Sequence, residues 1–321
     1  MTITWRPVVR ADVPTVAAFT NTVGERDGTG EVTTEESTAE MFEAPGLEVS
    51  TDTVSAWEGD LLVALGSVFA RDALVDGRAM IGVNGAVHPD HRERGIGSEL
   101  LTRLESRALE LGGERHPGEP VRLRTSGGLP DSASQRLLED RGYSPDNYFI
   151  TMQVQLADWA DPGGESVAVR PDLALQEETR DAHNDAFRDH RNFSPISAEH
   201  WAFWGKSSAQ RPEQNRVVVE DGRVLAYAIT AEYEPGVSHV ELVGTRREAR
   251  GRGLARQVLL ASLRAAREAG SRISELEVDS TSPTGADQLY VSVGYQPVRV
   301  ISRYVRDVDD PTQQRDGRDL P

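Results

Sequence analysis

The sequence predicts an α+β fold laid out as two tandem copies of one domain, and three observations carry that reading. The first is a basic, glycine-containing turn, Val87-His88-Pro89-Asp90-His91-Arg92-Glu93-Arg94-Gly95-Ile96-Gly97-Ser98, which joins the end of a strand pattern to the start of an amphipathic helix pattern. It recurs as Thr245-Arg246-Arg247-Glu248-Ala249-Arg250-Gly251-Arg252-Gly253-Leu254-Ala255-Arg256, with 158 residues between Arg92 and Arg250. The second is a late Gly142-Tyr143 that returns as Gly294-Tyr295, 152 residues on. The third is the order of elements around these landmarks, which is the same in both halves; two landmarks at nearly one spacing make chance repetition a poor explanation. A chain of 321 residues, 38% hydrophobic and 27% charged, is long enough for two domains that each bury a core.

In the first half, residues 3–9 read as a strand, with Asp12 as N-cap of a helix over Val13–Val23 that carries Pro14 in its first turn. Residues 24–46 are polar, with a short helix around Thr38–Phe42 inside a mobile loop. Strands over residues 51–57 and 61–70 flank Glu58-Gly59-Asp60 as a hairpin. Met80–Val87 is the strand before the turn, and Leu100, Leu101, Leu104, Ala108 and Leu111 place an apolar face on a helix that Gly112-Gly113 ends. A strand over 121–125, a helix over 132–141 and a last strand pair through Val154 complete this half.

Residues 157–166 have linker composition, and the order restarts: strand 167–170, helix 173–188, and a short helix at 197–205 carrying Trp201, Phe203 and Trp204. Asp221-Gly222 between two β-branched runs, 216–220 and 224–231, is a type I′ hairpin signal. Then come strand 239–244, helix 254–269 closed by Gly270, strand 273–279, helix 287–293 and the final strands. These landmarks set domains at 1–156 and 167–306, and a disordered tail from Asp307.

Composition narrows the chemistry. With no cysteine, disulfides, thiolate nucleophiles and cysteine-ligated metal sites are excluded. The histidines show no His-Glu-x-x-His pair or other strong ligand spacing, so no metal is expected. A formal charge of −17 argues against nucleic acid as the main partner and suits a cationic or amine ligand, although the same acidity also serves solubility. The N-terminus has no signal-like apolar stretch and no 18-residue apolar run follows, so we expect a cytoplasmic protein without a membrane partner.

Each turn places an arginine, a glycine and a second small residue before a helix whose first amides lack intrahelical partners, which suits an anion. Glycine allows close approach, the amides donate to phosphate oxygens, and Arg92, Arg94, Arg250 and Arg252 add charge-assisted bonds, so the expected ligand carries a pyrophosphate. Neither turn has the Lys-Ser/Thr of a nucleoside-triphosphate loop, and neither first glycine follows a strand directly, as a dinucleotide fingerprint requires.

Arg92-x-x-Gly95-x-Gly97 and Arg250-x-x-Gly253-x-Ala255 resemble the Gln/Arg-x-x-Gly-x-Gly/Ala cofactor signature of the GNAT superfamily of N-acyltransferases. Strand order, the hairpin before the motif and the late Gly-Tyr extend the resemblance over nearly the whole chain. The tandem layout, with Asn184-Asp185-Ala186-Phe187-x-x-His190, is similar to the mycothiol-synthase-like branch. The resemblance implies a mixed sheet in each half whose two central parallel strands splay, here 81–87 with 121–126 and 239–245 with 273–279. The pantetheine of acetyl-CoA would pair with strand backbone there and the turn amides would hold its pyrophosphate. It places Val243, Thr245, Arg250, Gly251, Arg252, Gly253, Leu254 and Ala255 at one donor site. Val87, Arg92, Glu93, Arg94, Gly95, Ile96 and Gly97 would form the other.

Amine acetylation needs a base for the ammonium proton and an acid for the leaving thiolate. The resemblance implies the acid as a tyrosine four residues before the late glycine: Tyr290 in the second half, Leu138 in the first. Packing on a helix face is the other reading of Tyr290. The family's glutamate base position falls on His239, with Glu241 two residues on and thus expected on the same face; either accepts the proton directly or through water, unless His239 is only a rim residue and Glu241 only pairs with an arginine. By residue count, Ile81 holds the place of His239 in the first half. The resemblance therefore implies an acyltransferase active in its second half, moving acetyl from acetyl-CoA to a small-molecule primary amine by direct transfer. The alternatives are mycothiol synthase proper, acetylating a cysteinyl pseudodisaccharide amine, and a non-catalytic acyl-CoA-binding protein. Trp201, Phe203 and Trp204 either wall the acceptor pocket or belong to the core.

Overall fold

Helix starts follow the capping chemistry of the sequence: Thr34, Ser132 and Ser197 each accept a hydrogen bond from the amide three residues on. The computed structural model describes residues 2–164, 166–190, 193–281 and 285–309. Its elements run β1 (Ile3–Arg6), α1 (Val13–Asp27), α2 (Glu35–Phe42), α3 (Val49–Asp52), β2 (Thr53–Glu58), β3 (Leu61–Ala70), β4 (Ala79–Val87), α4 (Ile96–Arg115), β5 (Val121–Gly128), α5 (Ala133–Asp140) and β6 (Ser144–Gln155). They continue with α6 (Gln176–Ala186), α7 (Ala198–Trp204), β7 (Arg216–Glu220), β8 (Arg223–Glu234), β9 (Val237–Thr245), α8 (Leu254–Glu268), β10 (Ile273–Asp279), α9 (Ala286–Ser292) and β11 (Gln296–Val308). No helix among the described residues is long and apolar enough to cross a membrane.

The chain forms two compact units, one of the residues up to Asn147 with those from Ile301 on, the other of Tyr148–Val300. In the first, the strand order is β1-β2-β3-β4-β5-β11; in the second it is β6-β10-β9-β8-β7. The last strands are therefore exchanged relative to the expected boundaries 1–156 and 167–306. Phe149–Gln155 of β6 run antiparallel to β10, and Ser302–Val308 of β11 run antiparallel to β5. Both parallel strands need an antiparallel neighbour on their outer side, and two strands of equivalent pattern were available to each. Each unit packs its central strands on the helix that follows the turn. Leu100, Leu104, Ala108 and Leu111 of α4 meet Ile81, Val83 and Leu123, and Leu259, Leu260 and Leu263 of α8 meet Val240, Leu276 and Val278.

Several local expectations change. α4 runs through Gly112-Gly113 to Arg115; a Cβ on Gly112 would stand 2.8 Å from Val121 Cγ2, so that glycine permits close helix-to-strand packing and does not end the helix. The Asp12 carboxylate does not cap α1 but accepts from the Val9 amide and pairs with Arg6. The segment after Tyr143 is one twelve-residue strand and not a pair. Residues 167–170 contribute a single bridge, Val169 to Val217. The 157–166 segment is anchored: buried Trp159 donates to the Val293 carbonyl at 2.8 Å, and Arg264 holds Asp161 through two hydrogen bonds. Asp307 and Val308, assigned to the tail, belong to β11, where Arg122 pairs with Asp307 at 2.6 Å; residues 310–321 lie outside the described residues. Asp221 (φ 49°) and Gly222 (φ 77°) make the left-handed hairpin turn that their sequence predicted.

The exchange has a direct test. Tyr304 of β11 is buried in the first unit's core and donates to Glu139 at 2.9 Å. Tyr304→Ala is expected to cost about 3–5 kcal/mol, with amides of β4 and β5 losing hydrogen-exchange protection while those of α8 and β10 keep theirs. Loss confined to residues 148–300 would contradict the pairing.

Candidate active site

In each unit the parallel ladder is only four residues long. Ala79–Gly82 pair with Val121–Arg124, and Val237–Val240 pair with Ile273–Leu276, after which β4 continues to Val87, β5 to Gly128, β9 to Thr245 and β10 to Asp279 paired only with the strands on their other sides. The predicted splay is thus present in both units, and each opening ends at the repeated turn.

The two turns share their backbone. Arg92 and Arg250 are extended; Glu93 (φ 61°) and Gly251 (φ 76°) are left-handed; Gly95 (φ 77°) and Gly253 (φ 73°) are left-handed N-caps of α4 and α8. Neither N-cap offers a side-chain hydrogen bond, and the first intrahelical bonds come from Glu99 and Gln257, so the amides before them have no intrahelical partner. A Cβ at Gly95, Gly251 or Gly253 would meet nothing within 4 Å. Glycine is required here by the backbone angle, and the space over the amides is open. At Gly97 an added Cβ would make ordinary contacts of 3.5–3.6 Å with Val87 and Leu137, which accounts for Ala255 in the second copy. Ile96 and Leu254 are buried, so they offer a ligand only their amides.

The four arginines are engaged with carboxylates, and the pairs are themselves duplicated. Arg92 holds Asp27 through bonds of 2.6 and 2.9 Å, as Arg250 holds Asp189 at 2.9 Å; Arg94 pairs with Glu58 as Arg252 pairs with Glu220. Arg250 also donates to the Ala186 carbonyl at 2.7 Å, and Asp185 accepts from the Arg247 amide at 3.0 Å. The Asn184–His190 run that follows the middle of α6 therefore braces the turn. These arginines fix the loop on its neighbours, and the amides at the start of α4 and α8 have no intrahelical partner.

Around the second splay, Thr245 Oγ1 is buried without a hydrogen-bond partner among the described residues. An orphan hydroxyl, uncapped amides and two diverging strands fit a ligand that combines a pyrophosphate with a hydrogen-bonding arm. Val243 packs toward α8, and its backbone, paired with Ala228 of β8, lies on the stretch of β9 that β10 does not pair.

Pairing with β8 skips one residue of β9: Ile229 faces Leu242 and Thr230 faces Val240, which leaves Glu241 in a bulge. His239 and Glu241 still meet one neighbour, Tyr233, whose ring lies 6.0 Å from the His239 ring and whose hydroxyl donates to Glu241. Gln210 also donates to Glu241, at 2.9 Å. The bulge corrects the alignment of the halves. The Val63 carbonyl accepts from His88, and the Leu225 carbonyl accepts from Arg246 at the same place in the fold. Six residues further along these strands stand Phe69, paired with Gly82, and Ala231, paired with His239. The counterpart of His239 is thus Gly82 and not Ile81, since β4 has no extra residue. The Phe69 ring lies over Gly82 where a Cβ would be, at 2.2 Å from it.

Tyr290 packs on α9 within the second core, 8% exposed, with its ring 6.1 Å from that of Tyr295. Burial pushes its phenol up to about 12, which keeps the O–H protonated at neutral pH. Leu138 is buried in its place in the first unit.

Sequence reasoning missed Glu275. It stands opposite His239 in the parallel register, with Oε1 3.4 Å from Nδ1, and takes a hydrogen bond from Gln153 at 2.6 Å. Burial opposes its ionisation, but His239, Gln153 and Arg299 more than offset this and hold it below the usual carboxylate range. In the sequence it is one of three acidic residues alternating with apolar ones, a pattern that reads only as a polar strand face.

Trp201 is buried and stacks near Trp204 at 5.2 Å and His183 at 5.8 Å, which places it in a core cluster behind β8. His183 lies on Phe187 at 4.6 Å and shares a 2.9 Å hydrogen bond with Tyr227. Burial first, and His190 second, lower its pKa to about 4. Its unfolded value is near 6.5, so unfolded chains bind the extra proton first. Stability is full above about pH 6.5 and falls as pH drops toward 4, by up to roughly 3 kcal/mol. Urea unfolding of the wild type is expected to show that slope and His183→Gln to flatten it; equal slopes would contradict the assignment.

The model of the Acetyltransferase (GNAT) family matches residues 27–116 and 175–295. A mycothiol acetyltransferase of Nocardiopsis dassonvillei is 28% identical over 246 residues, covering 65% of this chain and 69% of its own. One of Geodermatophilus obscurus is 30% identical over 222 residues, covering 65% and 68%. Among solved structures, a GCN5-related N-acetyltransferase from Sphaerobacter thermophilus superposes with a TM-score of 0.76 at 25% identity, covering 96% of both chains. A tandem GNAT protein from the clavulanic acid biosynthesis pathway shares the fold at a TM-score of 0.67 and 15% identity, covering 95% of this chain and 98% of its own. With a family match in each half, the duplicated turn and both splayed sheets, this chain belongs to the GNAT family of acetyltransferases and carries the family's fold twice.

Proposed function

We propose that the second unit transfers acetyl from acetyl-CoA directly to the primary amine of a small molecule, and that the first unit has lost the chemistry. The observation that carries this reading is the asymmetry at equivalent positions. The second unit has His239, Glu241 and Tyr290, whereas at the equivalent positions the first has Gly82 under the Phe69 ring and Leu138.

Acetyl-CoA supplies the acetyl thioester. The amides at Gly251–Ala255 would bind its pyrophosphate, and the β10-facing edge of Val243–Thr245 with the Thr245 hydroxyl would bind its arm, a role that the short β9–β10 ladder and the partnerless hydroxyl support. Per turnover the acceptor ammonium gives up two protons. His239 takes one and passes it to solvent; the other replaces the proton that the Tyr290 hydroxyl releases to sulfur as the C–S bond breaks and the C–N bond forms. The phenol, held protonated up to about 12, is a poor acid in isolation, and its value is positional: it can deliver a proton without a charged group entering an apolar gap. With no cysteine in the chain, transfer is direct and not through a cysteinyl enzyme.

A second reading, acetylation of a cysteinyl pseudodisaccharide amine, is favoured by the relatives named mycothiol acetyltransferase. Against it stands His239, at the position where the resemblance implies glutamate. Both readings make one prediction: thiol release from acetyl-CoA with an amine panel falls about 10²–10³-fold in kcat in Tyr290→Phe, with KM little changed. Absence of turnover on every amine would favour a binding protein, and turnover confined to the mycothiol precursor would favour the second reading.

A further inference from the structure

Two side chains beside the β9 bulge compete for the role of proton acceptor, and their surroundings separate them. Glu241 already accepts from Tyr233 and from Gln210. Among the described residues His239 meets a charged group at Nδ1 only, and Nε2 has no hydrogen-bond partner. The carboxylate at Nδ1 belongs to the neighbouring parallel strand, at the last-but-one rung before the strands part. We propose that Glu275 is the positioning residue of this site, making His239 the base by fixing its imidazole with Nδ1–H toward Glu275 and Nε2 toward the acceptor. The inference rests on the acetyltransferase reading above.

Three features support it. First, the carboxylate is itself held: Gln153 of β6 donates to Oε2 at 2.6 Å and Arg299 of β11 stands 3.8 Å away, so Oε1 is the oxygen left to face the ring. A base whose other nitrogen meets a fixed carboxylate keeps one tautomer and one orientation, and its protonated form gains a counter-charge. Second, a half-buried His–Glu contact inside a sheet costs desolvation that an apolar pair would avoid. The first unit shows the same rung without it, since Gly82 pairs there with Arg124. Third, the rung borders the opening, so a proton taken at Nε2 is taken beside the gap in which the amine must sit.

The charged and titratable groups around the pair are Glu241 on β9, Tyr233 on β8, Arg299 on β11, and Tyr295, whose hydroxyl is bound to Ser274 at 2.7 Å. Arg299 disfavours the imidazolium and the two carboxylates favour it, so removing the Glu275 charge lowers the proton affinity of His239. The acidic limb of kcat/KM must then move to lower pH, which a purely structural role would not produce.

The test is the pH profile of acetyl transfer for the full chain, wild type against Glu275→Gln and Glu275→Asp, with NMR titration of the His239 ring in each. Glu275→Gln is expected to reduce kcat/KM about 10²-fold at pH 7 and to move both the acidic limb and the ring titration to lower pH. Glu275→Asp, which keeps the charge, should retain more of both. An unmoved limb and ring titration in a folded Glu275→Gln protein with active wild type overturns this inference alone. Failure of the wild type to acetylate any amine overturns it together with the reading on which it rests.

Discussion

The rest of the molecule depends on a parallel ladder that stops after four rungs. Hydrogen-bonding groups beyond Gly82 and Val240 turn away from the neighbouring strand, and a sheet tolerates that only where something else can satisfy them. In each unit the opening ends at the same device, a turn with left-handed residues at Glu93 and Gly95 or Gly251 and Gly253 before a helix whose first amides have no intrahelical partner. The helix that follows is long, buried along one face and uncapped, so its dipole and free donors add to those of the turn. Without α4 and α8 packed on the splayed strands, the amides would have no fixed direction.

Such a turn has to be held, and in a chain of charge −17 it is held by arginine. The pairs Arg92–Asp27 and Arg250–Asp189, with Arg94–Glu58 and Arg252–Glu220, repeat across the duplication as faithfully as the glycines. They are half-exposed, or less at Glu58, and each contributes modestly to global stability. Their effect is geometric: they tie a strained loop to the preceding helix and to the hairpin on either side. Glu93 at a φ of 61° shows the load, since a side chain there costs about 1 kcal/mol that Gly251 avoids.

One inserted residue then separates the two halves. The bulge at Glu241 moves His239 to the rung where Gly82 stands in the other unit, and so changes which side chains border the opening. In the first unit the Phe69 ring lies over Gly82, and Leu138, buried in the core, stands in the place of Tyr290; neither side chain can exchange a proton. In the second, His239 meets Glu275 on the neighbouring strand, and the core around Tyr290 keeps its phenol protonated. The proposed division into a binding or shaping unit and a catalytic one follows from packing at two positions.

Much of this was legible in the sequence. The repeated turn, the hairpin at Asp221-Gly222, the strand 273–279 and the helix faces are local patterns of period and backbone preference, and such patterns do not need the rest of the chain. The sequence by itself therefore determined the duplication, the two repeated turns before helices and Tyr290 as a group present in one half alone. What it could not determine depends on pairing between distant strands. Residue counting put Ile81 opposite His239 because a bulge leaves no mark in composition, and Glu275 looked like any surface carboxylate because its partner is on another strand. Nor could it say that β6 completes the second unit and β11 the first, since both strands carry the same alternation and either would satisfy the edge of β5 or β10. Register and partner choice are decided only when the backbone hydrogen bonds of the whole sheet are satisfied together.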